Sequence, residues 1–223
     1  MNSLPFDFRG ASLHALPSGA LWWPERALLC VSDLHLGKSD RMARRGGPML
    51  PPYETQETLD RLAADLAATE PREVICLGDS FDDLAASRDM ATPLRERLLG
   101  LMAGRRWVWI LGNHDPGPVD LGGTHLADYA LGPLTFRHIA EPGAAGEVSG
   151  HYHPKARVPL RGRSLSRRCF LLDEARLILP AYGAYTGGLD CARPELASLM
   201  GARAEAILLG PRPVRLPMPR QPG

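Results

Sequence analysis

Trp107-Val108-Trp109-Ile110-Leu111-Gly112-Asn113-His114-Asp115 is a short apolar run that stops abruptly at a polar cluster. Two other segments follow the same rule. Ala27-Leu28-Leu29-Cys30-Val31 runs into Ser32-Asp33-Leu34-His35, and Val74-Ile75-Cys76-Leu77 runs into Gly78-Asp79-Ser80-Phe81-Asp82. Runs this short and this rich in β-branched and aromatic residues read as buried strands. The polar clusters then fall at strand C-termini, where α/β folds gather their ligand sites.

Between these strands the apolar spacing becomes helical. Pro52 to Thr69 carries Leu59, Leu62, Ala63 and Leu66 at 3–4 spacing, and Ser87 to Met102 places Leu94, Leu98, Leu99 and Met102 on one side. Alternation of β and α segments indicates an α/β fold. In the second half, strand-like pieces follow one another, at Leu134 to His138, Glu147 to Ser149, Cys169 to Leu172, Leu177 to Leu179 and Ala204 to Leu209. They read as a second set of strands packed on the first sheet. Residues 1–210 are expected to form one domain, and residues 211–223, with five prolines, an irregular tail.

The chain has 223 residues, 44% hydrophobic and 23% charged, with a net charge of +1. This is an ordinary globular composition, and total charge points to neither nucleic acid nor membrane. Cys30, Cys76, Cys169 and Cys191 include no C-x-x-C pair, which argues against a disulfide framework and a thiolate zinc site. No run approaches the ~18 apolar residues of a membrane span. Residues 1–9 do not read as a secretory signal, so a cytoplasmic protein without a membrane partner is expected.

The chemistry lies in the clusters. Asp33-x-His35 alone is a common triplet, and Asp79 with Asp82 alone would read as acids at a helix N-terminus. Asn113 is more telling, because an amide at a buried strand end needs a partner and its carbonyl oxygen is a neutral metal ligand. His114 beside it has the chemistry of a general acid. Gly150-His151-Tyr152-His153 places two imidazoles at i and i+2, which on an extended strand would share one face. His138 closes the strand candidate Leu134-Thr135-Phe136-Arg137, whereas His14 and His125 join no cluster and read as structural or surface residues. Oxygen and nitrogen donors without thiolates suit Mn²⁺, Zn²⁺ or Fe²⁺. Two such ions ~3.5–4 Å apart can activate water and clamp both sides of a displacement at phosphorus.

As a set, Asp33-x-His35, Gly78-Asp79-x-x-Asp82, Gly112-Asn113-His114-Asp115, His138 and Gly150-His151-x-His153 resembles the calcineurin-like metallophosphoesterase superfamily. The resemblance implies a four-layer α/β/β/α sandwich and two divalent metal ions, Mn²⁺ foremost. One ion would be held by Asp33, His35, Asp79 and His153, and the other by Asp79, Asn113, His138 and His151. His114 would protonate the leaving oxygen, oriented by Asp82. The sequence departs from the phosphoprotein phosphatases at Asp83, where many of them carry a phosphate-gripping Arg.

A narrower resemblance covers almost the whole chain. Leu21-Trp22-Trp23-Pro24, Ser32 to Lys38, Ser149 to Pro154, Arg167-Arg168-Cys169-Phe170 and Leu179 to Leu189 are similar to the bacterial ligase-associated DNA-damage-response endonuclease family. This implies a phosphodiesterase acting on DNA beside a ligase and a helicase. Local charge agrees. Lys155, Arg157, Arg161, Arg163, Arg167 and Arg168 follow His153 with no acid among them, and Lys38, Arg41, Arg44 and Arg45 follow His35. Such groups neutralise phosphates, although a solvated basic face has the same composition. The competing readings are a small-molecule nucleotide phosphodiesterase or phosphatase, a non-catalytic scaffold in a repair complex, and a structural metal site. The last fits poorly, since structural zinc favours closed Cys/His sets.

Overall fold

The computed structural model describes residues 2–44, 46, 53–160 and 163–220. The first sheet contains β1 (Leu4–Phe8), β2 (Ala11–Ala15), β3 (Leu21–Trp23), β4 (Leu28–Val31), β5 (Glu73–Leu77), β6 (Arg106–Ile110) and β7 (Thr124–Leu126), paired in that order. Its first four strands are antiparallel and its last four parallel. Helices α1 (Lys38–Arg44), α2 (Glu54–Thr69), α3 (Leu84–Arg88) and α4 (Thr92–Met102) lie in the crossovers between β4, β5 and β6.

The second sheet contains β8 (Asp128–Leu131), β9 (Leu134–Arg137), β10 (Glu147–Ser149), β11 (Pro154–Leu160), β12 (Arg163–Leu172), β13 (Arg176–Ile178) and β14 (Leu189–Asp190). Beyond β14 come the four-residue helix α5 (Pro194–Ala197), β15 (Glu205–Leu208) and β16 (Val214–Pro217). The sheet order is β14-β11-β12-β13-β10-β9-β8, and β15 joins it through β12 and carries β16.

Strand alternation builds three cores. In β4, Leu28 and Cys30 face the second sheet, while Leu29 and Val31 face α2 and α4. Ile75 and Val108 continue the inner set, and Val74, Cys76, Trp107 and Trp109 the outer one. With both faces buried, these parallel strands contain no polar alternation. Leu59, Leu62 and Leu66 of α2 and Leu98 and Met102 of α4 cover the outer face. The inner face meets Leu134, Phe136, Val148, Phe170 and Leu177 of the second sheet. Ala156, Cys169, Leu171 and Ile178 face outward from that sheet under Leu196, Met200 and Met218. The layers are thus helix, sheet, sheet and a thin cover reduced to α5 and coil.

Several expectations change. The second helical pattern is two helices, α3 and α4, because Pro93 opens α4, and Leu99 is exposed. The expected helix from Pro52 begins at Glu54, and Pro52 lies outside the described residues. The tail is not wholly irregular. Val214–Pro217 pairs antiparallel with β15, and its one proline, Pro217, sits where an edge strand tolerates it. All four cysteines are free and buried. No helix among the described residues is long and apolar enough to cross a membrane.

Candidate metal centre

The loops after β4, β5, β6, β9 and β10 converge at one end of the two sheets. The first two extend the parallel ladder beyond the strands: the amides of Asp33, His35 and Leu36 donate to the carbonyls of Gly78, Asp79 and Ser80 at 3.2, 2.9 and 3.0 Å. Asp33, His35, Asp79, His151 and His153 all have left-handed φ, between 46° and 69°. For residues with a Cβ this costs roughly 1–2 kcal/mol each, and such strain clusters where surrounding structure fixes a functional geometry. Glycines make room around them. A Cβ on Gly112 would lie 2.2 Å from the Asp79 amide nitrogen, and one on Gly78 2.3 Å from His138 Nδ1.

Two donor groups result. Asp33, His35 and His153 each bring one ligand atom within 4.8 Å of the others, and so do Asp79, His138 and His151. Asp79 joins them, because its Oδ2 lies 4.0 Å from His35 Nε2 and 3.4 Å from His138 Nε2. Asn113 belongs to the second group, with Oδ1 3.0 Å from His138 Nε2. His151 and His153 lie beyond the end of β10, so they do not share the face of an extended strand. Their left-handed conformations send one ring to each group.

The donor set fits cations. His138 Nδ1 donates to the Leu77 carbonyl at 3.0 Å, which leaves the Nε2 lone pair aimed at Asn113 and Asp79. His35 Nδ1 meets Asp82 Oδ1 at 2.8 Å, which turns its Nε2 toward His153 Nε2 at 3.4 Å. Lone pairs that face each other and buried carboxylates repel unless a proton or a metal ion lies between them. Without metal the protons respond accordingly. Burial opposes charge on His138, but Asp79 and Asp33 outweigh it and push its pKa up to about 9. Burial likewise opposes ionisation of Asp33, yet the His153, His138 and His35 rings hold its carboxyl below the usual range.

Asp82 meets His114 through its main chain rather than its side chain. Its carboxylate contacts His35 and Arg41, and only its backbone carbonyl accepts from His114 Nδ1, at 2.9 Å. Asp82 also forms a third donor group with His35 and His114, and its Oδ2 is held by Arg41. His114 is partly exposed, with Nε2 4.0 Å from Asp79 Oδ2.

Asp115, quoted in its motif without a role, is buried and accepts from the amides of Ser80, Phe81 and Gly112 at 2.8, 3.1 and 3.1 Å. It ties the β5 loop to the β6 loop. Burial, together with the Asp79 charge, pushes its carboxyl up to about 6 against these donors. Asp83 caps α3 through the Ala86 amide and pairs with Arg44 at 3.0 Å.

The glycine-rich segment 182–189 also acquires a role. The Tyr182 and Gly183 amides donate to the Ser32 and Asp33 carbonyls at 2.7 and 3.1 Å, and the Leu189 amide to the His153 carbonyl at 3.1 Å. A Cβ on Gly183 would lie 2.1 Å from the Leu34 carbonyl oxygen. The segment clamps the loops that carry Asp33 and His153.

The calcineurin-like phosphoesterase family model matches residues 27–163, the span that supplies all of these donors. The chain belongs to the calcineurin-like phosphoesterase family. It is a metal-dependent phosphoesterase. Among solved structures, this metallophosphoesterase is similar to the Pseudomonas putida nuclease MPE, at 33% sequence identity and a TM-score of 0.74, over 96% of this chain and 100% of that one. No curated protein matches it.

The basic residues expected to meet nucleic acid are only partly gathered. Lys38 begins α1, Arg44 is paired with Asp83, and Arg157 with Asp190 at 3.0 Å. Arg168 donates to the Ala181 carbonyl at 2.9 Å and so supports the clamp segment. Arg45 and Arg161 lie outside the described residues, and Arg163 is described only as the first residue of β12. His14 bonds Ser3, and His125 accepts from the Val119 amide, both away from the donor groups.

Proposed function

We propose that this metallophosphoesterase is a two-metal phosphodiesterase that cleaves DNA. The position of Asp79 between the two donor groups carries the reading. One ion would be held by Asp33, His35, Asp79 and His153, the other by Asp79, Asn113, His138 and His151. Mn²⁺ suits this set best, with Zn²⁺ or Fe²⁺ as substitutes. When bound, the ions supply Lewis acidity at phosphorus and an activated water.

The chain's own residues do the rest. His114, held through Nδ1 by the Asp82 carbonyl, has Nε2 free to give a proton to the leaving oxygen. Asp82 and Arg41 fix the ring of His35. Asp115 and Gly183 hold the loops at the spacing that the ions require. DNA is favoured as substrate by the similar nuclease and by the basic residues beyond His153, and a role in repair beside a ligase and helicase follows from the narrower sequence resemblance. Neutralisation of Arg44 and Arg157 by Asp83 and Asp190 favours the second reading, a small-molecule phosphodiesterase.

Hydrolysis assays with Mn²⁺ on bis-p-nitrophenyl phosphate, its monoester, and single- and double-stranded DNA separate these. Cleavage of the diester and of DNA supports the proposal. Cleavage of small diesters alone supports the second reading, and preference for the monoester contradicts both.

A further inference from the structure

The basic residues around the metal centre are of two kinds. Arg41, Arg44 and Arg157 each face a carboxylate, of Asp82, Asp83 and Asp190. Lys155, Arg167 and Arg168 form no ion pair among the described residues.

Strand register makes the second kind more unusual. Lys155 and Arg168 stand directly opposite each other across β11 and β12. Both side chains therefore project from one face, where like charges repel. Ser166, two residues before Arg168, projects from the same face. Burial disfavours the charged form of Arg168, and the neighbouring Arg61 charge adds to this. A cluster of cations held together without acids is stabilised by an anion that binds among them.

Space for that anion exists. Lys155, Ser166 and Arg168 line an open cavity of about 430 Å³, bordered by Pro17, Leu209 and Gly210; Arg167 also borders it, but strand alternation turns its side chain to the opposite face. Arg168 also borders a smaller cavity of about 230 Å³, which includes Arg61, Tyr185 and one acid, Glu57. Lys155, which lines the larger cavity, follows His153 by two residues. A Cβ on Gly188 would lie 2.6 Å from both Lys155 Cε and the His153 carbonyl oxygen, so the lysine stem, the clamp segment and the His153 loop pack together.

We propose that the cavity between Lys155, Ser166 and Arg168 is a phosphate subsite, which grips a backbone phosphodiester of a nucleic-acid strand away from the bond being cleaved. Two cations and a hydroxyl match the acceptor-only oxygens of a phosphodiester. The subsite rests on the phosphodiesterase reading above and gives it a means of holding polymer. Contacts of this kind carry no sequence information.

The test is binding of a fluorescein-labelled thymidine octamer to EDTA-treated protein, followed by anisotropy over a salt series. Lys155→Gln with Ser166→Ala should weaken the Kd about fivefold and lower the log–log salt slope by about 0.7 for the lost lysine contact. Lys155→Arg should stay within about twofold, because it keeps the charge. A double variant within twofold of the unaltered protein overturns the subsite. Hydrolysis of bis-p-nitrophenyl phosphate by the unaltered Mn²⁺-loaded protein is measured alongside. Its absence overturns the phosphodiesterase reading itself, whereas its presence with unaltered octamer binding in the variants overturns the subsite alone.

Discussion

Asp82 Oδ1 lies 2.8 Å from His35 Nδ1, while His114 Nδ1 reaches only the Asp82 backbone carbonyl, at 2.9 Å. One residue thus orients two histidines by different means. Its side chain meets the imidazole of a donor group, and its main chain holds the proposed acid. The carboxylate is itself held by Arg41 of α1.

Substitution of Asp82 should therefore act through metal. A carboxylate behind a ligating histidine is worth about 10–100-fold in metal affinity. Asp82→Asn should raise the Mn²⁺ concentration for half-maximal activity by that order, and Arg41→Gln should do so more weakly. At saturating Mn²⁺ turnover should largely recover, because the carbonyl that holds His114 remains. A loss that Mn²⁺ cannot restore would place the carboxylate in the proton transfer instead.

His114 has the complementary signature. His114→Ala should leave metal content unchanged and lower turnover by roughly 10²–10⁴ for alkyl leaving groups, which need a proton. For p-nitrophenolate the loss should be much smaller. Equal losses across a leaving-group series would exclude the general-acid role.

Much of this site is legible in the sequence. β4, β5 and β6 stand out as unbroken apolar runs because both their faces are buried. The ligands stand out because they follow those runs at once. Other features were hidden by tertiary context. In β1 the burial alternates, with Pro5 and Asp7 exposed on either side of buried Phe6, so no apolar run marks it. The β11–β12 hairpin reads as a charge run because Lys155, Arg157 and Arg167 occupy it. The roles of Asp82 and Gly183 depend on contacts with His35 and Leu34, far away in sequence.

Gly183 offers a test of the clamp. A Cβ there would overlap the Leu34 carbonyl at 2.1 Å, while at Gly187 it would meet nothing within 4 Å. Gly183→Ala should destabilise the protein by about 1–3 kcal/mol, and Gly187→Ala should stay within about 0.5 kcal/mol. Denaturant midpoints compare the two. Gly183→Ala should also weaken Mn²⁺ binding, since the displaced loop carries Asp33 and His35. Equal stability of the two variants would remove the clamp.

The most direct test of the dinuclear centre is metal stoichiometry, measured by elemental analysis of Mn²⁺-loaded protein and of Asp79→Asn, with circular dichroism to verify the fold. Asp79 Oδ2 lies between the two donor groups, so the unaltered chain should bind two ions. Asp79→Asn should retain at most one tightly bound ion, lose hydrolysis and stay folded. One tightly bound ion per unaltered chain, with the same content in Asp79→Asn, would contradict a shared two-metal site.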